Sequence, residues 1–258
     1  MDAILTAGGI PQPGEPLYEY TQGINKALLD ISGKPMIQWV LDALEGANGV
    51  ERIIIIGLPA DTVLTCSKVA AFVPTHGSML ENIRAGVNKV MELNPDALHV
   101  LAVSSDIPGI TSEMVDWVIN TTMETDHDVY YNIITRQVME TRYPDSRRSY
   151  THLKEFDVCG GDMNVIRTSM VTGNDSLWEE IIAARKNVFK QASLIGFSTL
   201  ILLLLRRINL DSALKRVSER LNLRGRAIVC PYAEVGMDVD KPHQLEIMRA
   251  DLQKRVTA

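Results

Sequence analysis

Cysteine is scarce: Cys66, Cys159 and Cys230 are the only three in 258 residues. They lie far apart, form no C-x-x-C pair and are odd in number, which argues against a disulfide framework and against a cysteine-built zinc site. Reduced thiols in the cytoplasm are the expectation. A block of like charge is also missing. The formal net charge is −6, so the basic footprint of a duplex-binding protein is absent and a small molecule, with no nucleic acid, is the expected partner. The N-terminal apolar run reaches Gly8-Gly9 too soon to act as a signal peptide. A further absence is local. The stretch 3–16, AILTAGGIPQPGEP, contains no lysine or arginine, although a glycine loop after a first strand is where phosphate commonly meets backbone.

No apolar run reaches the roughly 20 residues of a membrane-spanning helix. The longest, ASLIGFSTLILLLL at 192–205, is flanked by Lys186, Lys190, Arg206 and Arg207. It reads as a helix buried in the core or in a homodimer interface, or as a peripheral contact with a membrane surface or lipid substrate, which basic flanks suit.

What is present is enough apolar material for a full core, 46% of the residues. Short apolar runs at Ala3–Thr6, Arg52–Ile56, Val69–Val73 and His99–Val103 alternate with helical patterns at Pro35–Gly46, Ser78–Leu93 and Ser112–Thr122. That alternation predicts α/β architecture with a mostly parallel, Rossmann-like sheet and helices on both faces. From Asp128 polar and apolar residues alternate in a Tyr-, Thr- and Val-rich segment, which predicts antiparallel strands and loops. Helices are expected near Ser176–Asn187, Lys190–Arg206 and Asp211–Leu221, the last capped by Asp211 or Ser212. A strand, loop and helix close the chain. The expected organisation is a single domain with a nucleotide-binding lobe (1–123), a mixed second lobe with a helical insertion (124–224), and a closing strand and helix (225–258).

Ligands of open α/β sheets bind beyond the carboxyl ends of the strands. This points to Ala7-Gly8-Gly9, to Ser104-Ser105-Asp106, and to Asp238 and Asp240.

ILTAGG followed by NKALLDISGKPMIQWVLDAL resembles the opening of nucleotidyltransferases with the GT-A-like nucleoside-diphosphate-sugar transferase fold. The Gly-Gly variant is most similar to the molybdenum-cofactor guanylyltransferase-like group of NTP transferases. VSSDIPGIT and VGMDVDKPHQLEIM resemble that group's central Asp segment and its terminal D-x-D-T-P-E-D-L segment, and THGSMLENIRAGV resembles the Ser-containing helix start beside the nucleotide. The likeness covers roughly residues 1–123 and 225–250. It implies Mg²⁺-dependent transfer of a nucleoside monophosphate from an NTP to a phosphorylated small-molecule or lipid-linked acceptor, with release of pyrophosphate. It also implies nucleotide binding by Ala7, Gly8, Gly9, Lys26 and Ser78, a catalytic role for Lys26 and Asp106, and metal binding by Asp106 with Asp238 or Asp240, Asp238 being preferred. CGGDMNVIRTSM (159–170) resembles an acceptor-side segment, implying roles for Gly161, Asp162 and Asn164. One departure stands out. The family's loop carries arginine after its glycines, whereas this chain has IPQPGEPL and a connection to Lys26 about six residues longer. A nucleotide-sugar-dependent glycosyltransferase using Asp238-Val-Asp240, and a catalytically weakened nucleotide-binding protein associating through 192–205, are the alternatives.

Overall fold

The computed structural model describes residues 1–172 and 196–257. Strand β1 (Asp2–Thr6) leads through a long loop and a short helix α1 (Tyr18–Thr21) to a 3-10 turn at Lys26–Leu28. A small hairpin, β2 (Asp30–Ile31) and β3 (Lys34–Pro35), then delivers the chain into helix α2 (Met36–Gly46). Strands β4 (Ile53–Ile56) and β5 (Val69–Val73), helix α3 (Met79–Leu93), strand β6 (His99–Ser104) and helix α4 (Ser112–Met123) complete the first half. Strands β1, β4, β5 and β6 are parallel in the order β5-β4-β1-β6.

Side-chain alternation explains why this sheet is covered on both faces. Ala3 and Leu5 enter the large core beneath α2 and α4, together with Ile53 and Ile55. Ile4, Ile54 and Ile56 point the other way and pack with Ile83, Val87 and Val90 of α3. A run such as Ile53–Ile56, buried at every position, can only be satisfied between two such layers. Helix α3 lies close to the sheet at Gly86, where a Cβ would meet Ile4 and Ile56 side-chain carbons at 2.6 Å.

The second half extends the same sheet. Strand β7 (Val129–Thr135) is followed by helix α5 (Arg136–Arg142), then β8 (Thr151–His152), β9 (Asp157–Gly160), β10 (Met163–Arg167) and a short helix α6 (Thr168–Thr172). Strand β10 inserts between β6 and β7, antiparallel to both. Along β7, β9 pairs antiparallel and the late strand β11 (Gly225–Val229) pairs parallel. Helices α7 (Phe197–Leu204) and α8 (Leu210–Leu221) precede β11, and α9 (Pro242–Thr257) closes the described chain.

The parallel half and its helices match the expected bounds to within a residue. Elsewhere the expectations need correction. Helix α5 was not anticipated in the strand-rich segment; Thr135 initiates it by accepting the Val138 N–H. Helix α8 is capped by Asn209, which accepts the Ser212 N–H at 2.8 Å, rather than by Asp211 or Ser212. The helix expected at 176–187 lies outside the described residues, as do 192–195. For the rest of 192–205 a fully buried helix is not found: Ile201, Leu204 and Leu205 are 55%, 83% and 56% exposed. Leu202 and Leu203 pack on a small cluster with Ile133, Leu153, Val158 and Ile208. A helix apolar on every side cannot hide all its sides against one neighbour. Among the described residues no helix is long and apolar enough to cross a membrane.

Candidate functional site

The carboxyl ends of β1 and β6 carry the loops that build the site. At the end of β1, Gly8 sits where a Cβ would lie 3.1 Å from Thr75 Oγ1, and the neighbouring loop approaches so closely that a Cβ on Gly57 would stand 2.4 Å from Gly8 Cα. Gly57 adopts a φ of 99°, a conformation that side chains resist. The loop is then stapled by Asn25, a residue with no obvious signal in the sequence. Its amide donates to the Ala7 carbonyl at 2.5 Å and to the Gly57 carbonyl at 3.4 Å. Its Oδ1 accepts the Ala27 N–H at 2.9 Å, initiating the 3-10 turn that begins with Lys26. The Lys26 N–H also donates to the Gly9 carbonyl at 2.8 Å. The residue type and the turn together fix where the ammonium points.

That ammonium meets two carboxylates. Lys26 Nζ donates to Asp106 Oδ2 at 2.6 Å and to Asp240 Oδ1 at 2.7 Å. Burial alone would lower the lysine pKa, but Asp106 and Asp240 outweigh it and raise the value above that of a free lysine. Asp106 follows β6, whose loop is held by the Ser105 N–H on the Thr6 carbonyl and by the Val239 N–H on the Asp106 carbonyl. Asp240 precedes α9, where Gln244 folds back to accept both the Asp240 and Lys241 N–H groups at 3.0 and 2.9 Å. Gln244 therefore does the capping, Pro242 takes the first helical position where it has no donor to waste, and the Asp240 side chain is free to face Lys26.

The two closing aspartates part company. Asp238 is ion-paired with Arg148 and does not reach Lys26. Of the two, Asp240 is the one in contact with Lys26, while Asp238 is turned to Arg148. Asp162 reaches the centre from the second half. Because β10 runs antiparallel, its beginning lies beside the ends of the parallel strands. There the Ser104 N–H donates to the Asp162 carbonyl at 2.9 Å, and the Asp162 N–H donates to the Val235 carbonyl at 2.8 Å. Burial, and next the Asp106 carboxylate, push the Asp162 carboxyl up to about 7.

Its neighbours in the sequence have structural tasks. Asn164 bonds the Asn132 N–H and the Gly161 carbonyl, both at 2.8 Å. A Cβ on Gly161 would stand 3.1 Å from the Asn132 carbonyl oxygen. Their small size and amide chemistry are thus already used within the fold.

Lys26 stands between two clefts. One, of about 260 Å³, is lined by Gly8, Gly9, Thr75, Ser78, Asn82 and Asp106. In its wall Ser78 caps α3 through the Glu81 N–H, and Asn82 Oδ1 accepts the His76 N–H at 2.6 Å. The other, of about 440 Å³, is lined by Gly9, Ile10, Pro11, Glu15, Asp240 and Lys241. Ala7, Gly8, Gly9, Lys26, Ser78 and Asp106 therefore line one strand-end cleft, Asp240 lines the adjoining one, and Asp162 is a buried neighbour of Asp106.

A mostly parallel α/β sheet with this strand-end arrangement defines a nucleotidyltransferase-type fold. Residues 19–172, more than half of the chain, match the MobA-like NTP transferase domain. The chain belongs to the MobA-like NTP transferase family, and it is a transferase enzyme. It is similar to a hypothetical transferase from Thermus thermophilus, with 31% identity and a TM-score of 0.82 over 95% of this chain and 98% of that one. The fold is shared with CMP:2-keto-3-deoxy-manno-octonic acid synthetase complexed with CTP, at 15% identity, a TM-score of 0.56 and coverage of 98% and 99% of the two chains. It is shared also with 4-diphosphocytidyl-2C-methyl-D-erythritol synthase from Anaerococcus prevotii, at 11% identity, a TM-score of 0.60 and coverage of 98% and 95%. Over 95 residues the chain is 33% identical to the bifunctional protein GlmU of Thermoanaerobacter pseudethanolicus, a match spanning 37% of this chain and 21% of GlmU.

Proposed function

We propose that this enzyme transfers a nucleoside monophosphate from an NTP to a phosphorylated acceptor. An acceptor phosphate oxygen forms the new bond to the α-phosphorus, the bond from that phosphorus to the β-phosphate oxygen breaks, and pyrophosphate leaves. The observation that carries this reading is Lys26, held by two carboxylates at the junction of two clefts. The nucleoside end lies over Gly8, Ser78 and Asn82, and the phosphates turn past the backbone N–H groups of Gly8 and Gly9 toward the Lys26 ammonium and the second cleft, whereas the Ala7 N–H is already committed to the Ile56 carbonyl at 2.7 Å. Catalysis of this kind is positioning plus neutralisation of phosphate charge.

The residues fit a hard divalent cation. Asp106 Oδ1 and Asp162 Oδ2 are buried without a hydrogen-bond partner, and Asp240 shares the Lys26 contact with Asp106. Mg²⁺ commonly takes one or two protein carboxylates and leaves the rest of its shell to water and substrate phosphates. Asp106 and Asp240 would hold it, with the buried Asp162 carboxyl nearby to accept a hydrogen bond from a water on the ion. When bound, the ion supplies neutralisation of phosphate oxygen charge. The Lys26 ammonium would meet triphosphate oxygens at the junction of the two clefts.

The test is pyrophosphate release by purified protein from each of four NTPs with Mg²⁺ and a panel of sugar, alcohol and cofactor phosphates. One combination is expected to turn over, and Asp106→Asn to lower kcat by about 10²–10³-fold, the usual loss when transition-state charge stabilisation is removed, with the melting temperature preserved. Nucleotide binding with no turnover on any acceptor would favour the catalytically weakened protein, and full turnover in Asp106→Asn would displace Asp106 from its role.

A further inference from the structure

The charge balance of the larger cleft presents a problem for a triphosphate. From Ala7 to Asn25 the chain has no lysine or arginine, but it has Glu15 and Glu19. Glu15 lines the cleft and its carboxylate accepts the Gln12 N–H at 2.8 Å, which folds the loop without adding positive charge. Lys26 is shared with Asp106 and Asp240. The charged residues lining the cleft are Glu15, Lys26, Asp240 and Lys241, a neutral set to which a polyphosphate brings several negative charges. Of its two lysines, Lys241 alone has no carboxylate partner among the described residues.

Lys241 is also built into place. Its N–H is fixed by Gln244 at 2.9 Å, its carbonyl receives the N–H groups of Gln244 and Leu245, and it immediately precedes α9. The backbone is therefore held in place, while the exposed side chain belongs to the same cleft as Gly9, Ile10 and Pro11. An ammonium on a flexible stem at a fixed root suits a ligand whose phosphates vary slightly in position.

We infer that Lys241 is the second polyphosphate-binding cation of this enzyme, supplying from the C-terminal segment the charge that the loop after β1 lacks. It grips the leaving end of the NTP, the β- and γ-phosphates, and so favours triphosphate over monophosphate. This rests on the nucleotidyl-transfer reading of the two clefts.

The test is calorimetric titration of the full chain with magnesium tripolyphosphate, with the Mg-NTPs and with the corresponding monophosphates. Lys241→Gln is expected to weaken tripolyphosphate and NTP about tenfold, the scale of one charge-assisted contact. Monophosphate affinity and melting temperature are expected to hold, and Lys241→Arg to retain triphosphate binding. If Lys26→Gln weakens tripolyphosphate and Lys241→Gln does not, the inference about Lys241 is overturned while the nucleotidyl-transfer reading stands. Equal loss of monophosphate and triphosphate affinity in Lys241→Gln would also overturn it, since the contact would then lie at the nucleoside end. Wild-type protein that binds neither tripolyphosphate nor any NTP would overturn both.

Discussion

The two halves of the sheet reach the same edge by different means. In the parallel half, β5-β4-β1-β6, the candidate positions come at strand ends and are set by contacts to backbone groups: Gly57 against Gly8, the Asn25 amide on two loop carbonyls, the Ser78 hydroxyl on a helix-start N–H. In the mixed half the tethers are side chains far apart in sequence. Arg148 holds Asp238, Asn164 bridges to Asn132, and Arg142 joins Glu234 and Asp251. Backbone turns tell a local story that neighbours in sequence can encode. Long-range pairs need the finished fold.

The seam between the halves should respond most strongly. Asp162, immediately before β10, has a buried, unpartnered Oδ2 and a carboxyl raised to about 7. A native pKa above the unfolded one means the folded state binds more protons between about pH 4 and 7, so stability contributed by the protonated form is lost as pH rises through that window. A shift of about three units corresponds to roughly 4 kcal/mol. Thermal or urea denaturation in the presence of EDTA should show the wild type losing stability from pH 4 to 8 by an amount of this order. Asp162→Asn should flatten that slope and be the more stable protein at pH 8. An unchanged slope in Asp162→Asn would place the titration elsewhere.

A smaller but sharp effect is expected in the parallel half. Gly57→Ala places a methyl 2.4 Å from Gly8 Cα at a φ of 99°. The neighbour is backbone and cannot swing aside, so overpacking and the disfavoured conformation together should cost about 3 kcal/mol. Because the displaced atom belongs to the glycine loop, tripolyphosphate affinity should fall with stability. A Gly57→Ala protein with intact affinity would separate the loop's packing from its binding role.

The same contrast explains what could be read from the chain. Strands at 53–56 and 69–73 and helices α2 and α3 were legible because apolar spacing and Ser78 state them locally. That Ala7, Gly8, Gly9 and Asp106 meet at one sheet edge followed from their place after strands, whereas Lys26, in a 3-10 turn beyond α1, was indicated only by the family resemblance. Which of Asp238 and Asp240 contacts Lys26 was not legible. It depends on Arg148, 90 positions before Asp238, reaching one carboxylate while Gln244 takes over capping beside the other. Nor was the task of Asn164 visible, since its partner Asn132 lies on a strand whose pairing only the fold reveals. Asn25 was missed for another reason. It stands immediately before Lys26, but the two carbonyls it ties, Ala7 and Gly57, are adjacent only in space.

The mixed half should yield to removal of one charged tether, though by less than the parallel half yields to a backbone clash. Arg142 Nε donates to Glu234 Oε1 at 2.9 Å, and its Nη2 donates to both Asp251 oxygens at 2.7 and 2.6 Å. The guanidinium also lies 4.4 Å from the Tyr143 ring centre. Glu234 and Asp251 are the more enclosed partners, whereas Arg142 is partly in water. Arg142→Ala strips Glu234 of its ion pair and leaves Asp251 with the Tyr143 hydroxyl at 3.3 Å and Arg255 at 3.9 Å, and a fully buried case would cost about 3–5 kcal/mol. With one side of the cluster open to solvent, about 2 kcal/mol is expected, read as a lowered urea midpoint with unchanged slope. Arg142→Lys should recover only part of this, because an ammonium cannot fork between two carboxylates as a guanidinium does. Since α9 carries Asp251 and follows directly on Asp240 and Lys241, the Arg142→Ala protein should also bind tripolyphosphate more weakly than its stability loss alone requires. If affinity is untouched, the root of α9 is held by Gln244 and the loop contacts of Val239 without help from the second half, and the two halves act on the site independently.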